Sequence, residues 1–211
     1  THELRNIFAE IQTGSYYLKN KAAKDLPQLA DSFQDIENGI NYANEILDSV
    51  LKVSYPKKLT LGDADINLIV EDALSLSNLK EMFKNNKIAV VKNLGPGIPL
   101  IKADGMQIKE AILNLVINTV QAMPNGGKLT IITKQQRNFL TIEVTDTGTG
   151  ISKEAQENLF TPFFTTKSKG LGLGLCISKE IVEAHKGKIE VRTELNKGST
   201  FIVSLPLSNS A

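Results

Sequence analysis

Asn114 and Asn118 stand four residues apart in Asn114-Leu115-Val116-Ile117-Asn118, so they share one face of a helix that is otherwise apolar. A buried carboxamide needs a partner. Its oxygen suits a Mg2+ ion held mainly by phosphates, though a hydrogen bond between elements would satisfy it equally well. A second set of residues is Asp146-Thr147-Gly148-Thr149-Gly150-Ile151, which follows the alternating apolar run Leu140 to Val144. A strand thus delivers an aspartate into a turn with glycines. That carboxylate can accept a hydrogen bond from an exocyclic amine such as adenine's, and a glycine backbone lets a flat ligand approach closely. A plain hairpin turn has the same composition.

Two further stretches point at anions. Gly170-Leu171-Gly172-Leu173-Gly174-Leu175 opens a helix with alternating glycines, so its amides and the helix dipole can face a phosphate. It is neither a P-loop, lacking Gly-Lys-Ser/Thr, nor a G-x-G-x-x-G, since Leu175 takes the last glycine's place. Phe160-Thr161-Pro162-Phe163-Phe164-Thr165-Thr166-Lys167 lies in a long loop, where the aromatics can anchor a lid and Lys167 or Lys169 can meet phosphate. The plainer reading is a loop pinned by its own apolar residues. Near the start, His2 is followed by Glu3, with Asn6 one turn on along the same face. An exposed histidine near a terminus is ordinarily inert, but an adjacent carboxylate can fix the tautomer that leaves one imidazole nitrogen nucleophilic.

These residues require particular elements. Residues 28–54 carry Leu29, Phe33, Ile36, Ile40, Ala43, Leu47 and Val50 in steps of four and three, a heptad seam on a long helix. Residues 2–20 show a weaker seam, Leu4, Phe8, Ile11, Ser15 and Leu18, with His2 off it and facing solvent. Lys21 to Pro27 reads as the turn between the two, with Pro27 starting the second helix. Two helices bury too little apolar surface alone, so this all-α hairpin is expected to pair with a second copy as a dimeric four-helix bundle. Tyr55-Pro56-Lys57-Lys58 ends the pattern. The predicted domains are residues 1–58 and 62–211.

In the second domain the pattern predicts one helix over Asp65 to Phe83, capped by Asp65, then strands at Ile88 to Val91 and around Pro99 to Lys102. A helix over 104–123 carries the two asparagines. Strands Lys128 to Lys134 and Phe139 to Asp146 form a hairpin, and a loop runs from Ser152 to Lys169. A helix from Leu173 to Ala184 precedes a last hairpin, Ile189 to Thr193 with Thr200 to Leu205. Helices and strands mix without regular βαβ alternation, which predicts an α+β two-layer sandwich.

Composition excludes several classes. The chain of 211 residues is 41% apolar and 22% charged, with net charge +1, which favours neither nucleic acid nor an anionic membrane as partner. Its one cysteine, Cys176, can form neither an intrachain disulfide nor a multi-thiolate metal site and suits a reducing, cytoplasmic setting. No run approaches a bilayer span, so no membrane contact is expected within this stretch. The chain begins at Thr1 already in helical pattern and reads as a piece of a longer protein, whose parent is free to carry a membrane anchor.

In order and spacing, the asparagine pair, the Asp146 turn, the Phe160 loop and the Gly170 loop resemble the asparagine box, first glycine box, phenylalanine box and second glycine box of sensor histidine kinases. His2-Glu3-Leu4-Arg5-Asn6 resembles the histidine box of that family, and Gly198-Ser199-Thr200 its last nucleotide box. The resemblance covers essentially the whole chain. It implies a dimerisation and histidine-phosphotransfer hairpin followed by a catalytic domain of the Bergerat ATP-binding fold. It further implies ATP and Mg2+ as cofactors, autophosphorylation of histidine, and transfer to an aspartate on a response regulator receiver domain. Residue by residue, His2 would be the phosphoacceptor, Glu3 its orienting base, and Asn6 the group positioning water for dephosphorylation of the regulator. Asn118 would ligate Mg2+ with Asn114 supporting phosphate or metal. Asp146 would read the adenine amine, backed through water by Thr200. Gly148, Gly150, Gly170, Gly172 and Gly174 would make room for nucleotide, and the loop from Phe160 to Lys169, with Lys167, would be the lid.

Three positions depart from the family pattern: Ile7 stands in place of proline, Thr119 in place of alanine, and Leu171 in place of a hydroxyl residue after Gly170. The first removes the usual helix kink, and the others are expected to weaken nucleotide binding. Related ATPases and protein-serine kinases of this fold carry glutamate where Asn114 stands, because hydrolysis needs a general base. Asn114 cannot accept a proton, which disfavours them. A non-catalytic scaffold with a vestigial pocket is the alternative from another class.

Overall fold

The computed structural model describes residues 2–22, 29–54, 58–167 and 170–207. They form two compact units, Thr1–Lys57 and Lys58–Ala211. In the first, α1 (His2–Ala22) packs on α2 (Ala30–Ser54). Helix α1 runs through Ile7 and reaches Ala22, so the helix includes Lys21, which the sequence pattern placed in the turn; Pro27 lies outside the described residues. Lys19 Nζ meets Glu37 Oε2 at 2.9 Å between the helices. Ile40 and Ser15 are buried along the seam, whereas Ile11 and Leu18 remain 46% and 55% exposed. One hairpin therefore covers only part of the apolar stripe its sequence carries.

The second unit is a five-stranded sheet in the order β2-β4-β5-β7-β6, with helices on one face and a small two-stranded sheet beside it. Strand β1 (Gly62–Ala64) pairs antiparallel with β3 (Ile101–Ala103). In the large sheet β2 (Ile88–Leu94) runs parallel to β4 (Gly127–Gln136), and β5 (Phe139–Asp146), β6 (Lys188–Glu194) and β7 (Gly198–Pro206) complete it antiparallel. The period-2 alternation of the strands puts Leu129 and Ile131, Leu140, Ile142 and Val144, and Phe201, Val203 and Leu205 into the core. Ile108, Ile112, Leu115 and Val116 of α5 (Gly105–Gln121) and Ile177, Ile181 and Val182 of α7 (Gly174–Ala184) are buried with them. This is the α+β two-layer sandwich that the sequence predicts.

Three local details differ from the sequence pattern. The helix expected over Asp65 to Phe83 is two, α3 (Ile66–Ser75) and α4 (Ser77–Asn85), broken at Leu76, whose ψ is 132°. Ser75 Oγ donates to Asp72 O at 2.9 Å. The Ser75 hydroxyl thus competes for a helical carbonyl at the point where the chain turns and apolar periodicity alone continues. Strand β1 is too short to show a period and was not expected, whereas β3 overlaps the strand expected around Pro99 to Lys102. The loop from Ser152 contains α6 (Lys153–Asn158), whose cap is Ser152 Oγ accepting from Ala155 N at 3.3 Å.

The asparagine helix is positioned at its first turn. Asp104 Oδ1 accepts from Gln107 N at 3.1 Å, and Oδ2 from Thr60 N at 3.0 Å. Burial pushes the Asp104 carboxyl up, but these hydrogen bonds, with the Gln107 side chain and the Met106 amide, together outweigh it and hold the carboxyl below its usual range. His185, buried after α7, accepts Asp104 N–H on Nε2 at 2.9 Å and pairs through Nδ1 with Ile181 O at 2.7 Å. The imidazole therefore carries its proton on Nδ1 and ties the end of α7 to the start of α5.

Candidate nucleotide site

Asp146 is the last residue of β5 and is 2% exposed. The chain beyond it is no hairpin turn: it leaves the sheet for α6, held by Thr149 N to Ala122 O at 3.1 Å and Asn196 N to Thr149 O at 2.7 Å. Asp146 Oδ1 accepts from Gly148 N at 2.8 Å and from Ser199 N at 3.2 Å. Its Oδ2 is buried without a partner. Burial pushes the Asp146 carboxyl up, while the Gly148 and Ser199 amides and the Lys167 charge oppose this. A buried acceptor with one oxygen saturated and the other open is built for a donor from outside the chain.

Strand register sets Thr200 on a different face from the carboxylate it was expected to back. Directly opposed residues of an antiparallel pair share a face, and Thr145 opposes Thr200. Thr200 Oγ1 lies 3.0 Å from Thr145 Oγ1, on the sheet face away from Asp146. The group that backs Asp146 is the amide of Ser199, one residue earlier; Ser199 is buried, with Oγ 2.9 Å from Thr193 Oγ1. Period-2 alternation around Asp146 in the sequence could have found it.

The glycines divide by task. Gly150 has φ +65° and its backbone abuts the Glu194 carbonyl, so it makes room for the β6–β7 turn rather than for a ligand. Gly172 has φ +67° and abuts the Phe164 carbonyl, which joins the glycine loop to the phenylalanine loop. Gly148 serves Asp146 through its amide. Gly170 faces open space, and Gly174, at the start of α7, stands beside the Asn114 carboxamide. Leu171 is half-buried.

On α5, Asn114 and Asn118 are half-buried on one face. Among the described residues the Asn114 side chain forms no hydrogen bond. Thr119 turns the other way: it is fully buried and its Oγ1 donates to Val116 O at 2.7 Å, so the hydroxyl in place of a methyl is absorbed within the helix. Lys167 reaches across from the loop, its Nζ donating to Asn118 Oδ1 at 2.9 Å and to Gln121 Oε1 at 2.7 Å. Burial pulls the Lys167 ammonium down and the Asp146 charge partly restores it. Gln121 did not emerge from the sequence pattern, although its place three residues after Asn118 on the same face was legible. Among the loop aromatics, the Phe160 ring lies 5.8 Å from Lys179 Nζ of α7, while Phe163, at φ +66°, is 60% exposed.

Among the described residues no three His, Cys, Asp or Glu side chains gather to cage a metal. The oxygens present are neutral carboxamides already facing a cation. That donor set fits a Mg2+ carried by phosphates rather than one held by protein alone. In the hairpin, Asn6 is exposed on α1; the side chains of His2 and Glu3 lie outside the described residues, though both belong to the helix. Ser168 and Lys169 also lie outside them. Among the described residues no helix is long and apolar enough to cross a membrane.

The family model described as "Histidine kinase-, DNA gyrase B-, and HSP90-like ATPase" matches residues 103–209. The sensor histidine kinase ZraS of Escherichia coli is 31% identical over 98% of this chain and 44% of its own length. Sporulation kinase C of Bacillus subtilis is 30% identical over 100% of this chain and 48% of its own. The chain thus spans about half the length of the curated relatives it matches. Among solved structures, the histidine kinase ThkA in complex with response regulator protein TrrA is 26% identical, with TM-score 0.71, covering 98% of this chain and 59% of that one. Sequence and fold agree with the pocket around Asp146, and the chain belongs to the histidine kinase-, DNA gyrase B- and HSP90-like ATPase family.

Proposed function

We propose that this chain is the core of a sensor histidine kinase, which phosphorylates His2 from ATP and passes the phosphoryl group to an aspartate of a response regulator receiver domain. The observation that carries the nucleotide half is Asp146 Oδ2, a buried acceptor with no partner. Asp146 takes the adenine amine there while Gly148 and Ser199 keep the carboxylate in place. Asn114 and Asn118 share one face of α5, and Lys167, bonded to Asn118, also feels the Asp146 charge; neither asparagine can take a proton from water, which favours phosphoryl transfer to a protein over hydrolysis. Asn118 would help hold a Mg2+ carried by the phosphates, which would supply charge neutralisation.

The first transfer breaks the bond between the γ-phosphorus and its bridging oxygen and forms a phosphorus–nitrogen bond to the imidazole of His2, releasing ADP. Glu3 keeps the proton on the other ring nitrogen. The second transfer breaks that phosphorus–nitrogen bond and forms an acyl phosphate on the regulator, and Asn6 orients water for its later hydrolysis. Such transfers need placement and charge neutralisation more than covalent help. The half-covered seam of the hairpin supports homodimerisation through α1 and α2, with the chain acting in the cytoplasm. The complex of ThkA with a response regulator supports the choice of partner.

The test is incubation of the parent protein with labelled ATP and Mg2+. An acid-labile, base-stable label is expected, and His2→Gln is expected to abolish it; persistence of label in that variant refutes the assignment. Asn6→Ala is expected to spare labelling and to slow dephosphorylation of a cognate regulator.

A further inference from the structure

Lys167 and the two carboxamides raise a question that a phosphate-binding role does not answer. Lys167 Nζ sits on Asn118 Oδ1 at 2.9 Å and on Gln121 Oε1 at 2.7 Å, in a half-buried place where its ammonium is partly desolvated. Asn114, Asn118 and Gln121 follow one helical face at spacings of four and three, and the last two aim their oxygens at one point. Two carboxamide oxygens converging on a monovalent cation form a small cation seat. Without phosphates, two neutral oxygens bind a dication poorly, because Mg2+ gives up water reluctantly. With triphosphate present, the added negative charge favours the dication and offers the ammonium a better partner.

We propose that Asn118 and Gln121 together form one cation seat, which Lys167 fills in the nucleotide-free protein and yields to Mg2+ when nucleotide phosphates arrive. Gln121 is then a metal-site residue alongside Asn118, acting directly or through a metal-bound water, and Lys167 moves from the seat to a phosphate oxygen. The exchange keeps the seat occupied by positive charge in both states, so neither carboxamide oxygen is left desolvated and unpaired. It also links the loop that carries Lys167 to the metal: the loop is bonded to α5 through the seat before nucleotide binds, and through the phosphates afterwards. The proposal rests on the reading of this pocket as a nucleotide site.

The test measures affinity of the 211-residue chain for a non-hydrolysable ATP analogue across a range of free Mg2+ at fixed ionic strength. Gln121→Leu is expected to raise the Mg2+ concentration needed for the half-maximal gain in affinity by roughly tenfold, the equivalent of one charge-assisted contact. Metal-free affinity is expected to change less than Mg2+-saturated affinity, since without the metal the variant loses only the Lys167 contact. Gln121→Glu, which keeps an oxygen and adds charge, is expected to restore or lower that Mg2+ requirement. Equal weakening of metal-free and Mg2+-saturated binding in Gln121→Leu identifies a structural residue and overturns the proposal. The exchange itself is read from the side-chain nitrogen resonance of Lys167. That signal should be protected from solvent in the nucleotide-free chain, lose protection in Gln121→Leu, and shift when Mg2+ and the analogue are added. An unprotected signal in the nucleotide-free parent overturns it. Failure of the parent to bind the analogue at any Mg2+ concentration instead overturns the nucleotide reading, and the proposal with it.

Discussion

Ser199 donates its backbone N–H to Asp146 Oδ1 over 3.2 Å, from a strand that pairs with the aspartate's own. With Gly148 N–H on the same oxygen, the orientation of the carboxyl group is fixed by two donors. An asparagine at this position must keep its carbonyl where Oδ1 lies and present its NH2 where Oδ2 lies.

That geometry predicts a change of base preference. Asp146→Asn should lose about tenfold or more in ATP affinity, because two donors then face each other. The loss should be smaller for inosine triphosphate, whose base carries an acceptor at the same position. Competition binding with the two nucleotides checks this; equal losses would place the base elsewhere.

The raised affinity of Asp146 for its proton gives a pH signature with two opposite signs. Burial is the main cause, and the folded protein therefore binds this proton more tightly than the unfolded chain does. The contribution of Asp146 to stability is present below the ordinary aspartate value and is lost as pH rises through its higher folded value. Nucleotide affinity runs the other way, falling as pH drops through that folded value, because a protonated Oδ2 no longer accepts from the amine. Binding and unfolding measured across the same acidic range should show both slopes, and Asp146→Asn should abolish both contributions.

Gly172→Ala should weaken nucleotide binding and destabilise the catalytic unit by about 1–3 kcal/mol, since a side chain at φ +67° also meets the Phe164 carbonyl. Thermal unfolding with and without nucleotide separates the two effects. Gly170→Ala, also at positive φ but facing open space, should cost less.

Thr200→Val should change nucleotide affinity by less than about twofold, because its hydroxyl meets Thr145 on the other face of the sheet. A larger loss by equilibrium binding would restore Thr200 to the site.

The sequence made the architecture legible wherever one face of an element is apolar. The α5 stripe, the β4–β5 hairpin and the alternation of β7 all carry periods long enough to read. It was less informative where hydrogen bonds decide. The break at Leu76 follows the Ser75 hydroxyl bonded to Asp72 O, and α6 rests on the Ser152 cap. Asp146, Asn114 and Asn118 could be picked out because polar residues at apolar positions stand out. The Ser199 amide that meets Asp146 was passed over in favour of the Thr200 hydroxyl one residue on, because a backbone donor leaves no mark in residue type. Gln121 was passed over because a glutamine near a helix end looks like any solvated residue until Lys167 arrives from 46 positions away.

The order β2-β4-β5-β7-β6 places the last strand among the described residues inside the sheet rather than at its edge. Among the described residues strand β6 pairs with β7 alone, so it has no place in the sheet until its successor inserts beside β5. The same event delivers the Ser199 amide to Asp146. On the ribosome, a partly synthesised catalytic unit can therefore form its first three sheet strands but lacks a finished adenine pocket. The two-donor clamp on Asp146 is therefore completed only when β7 pairs with β5, however early β5 itself has paired with β4.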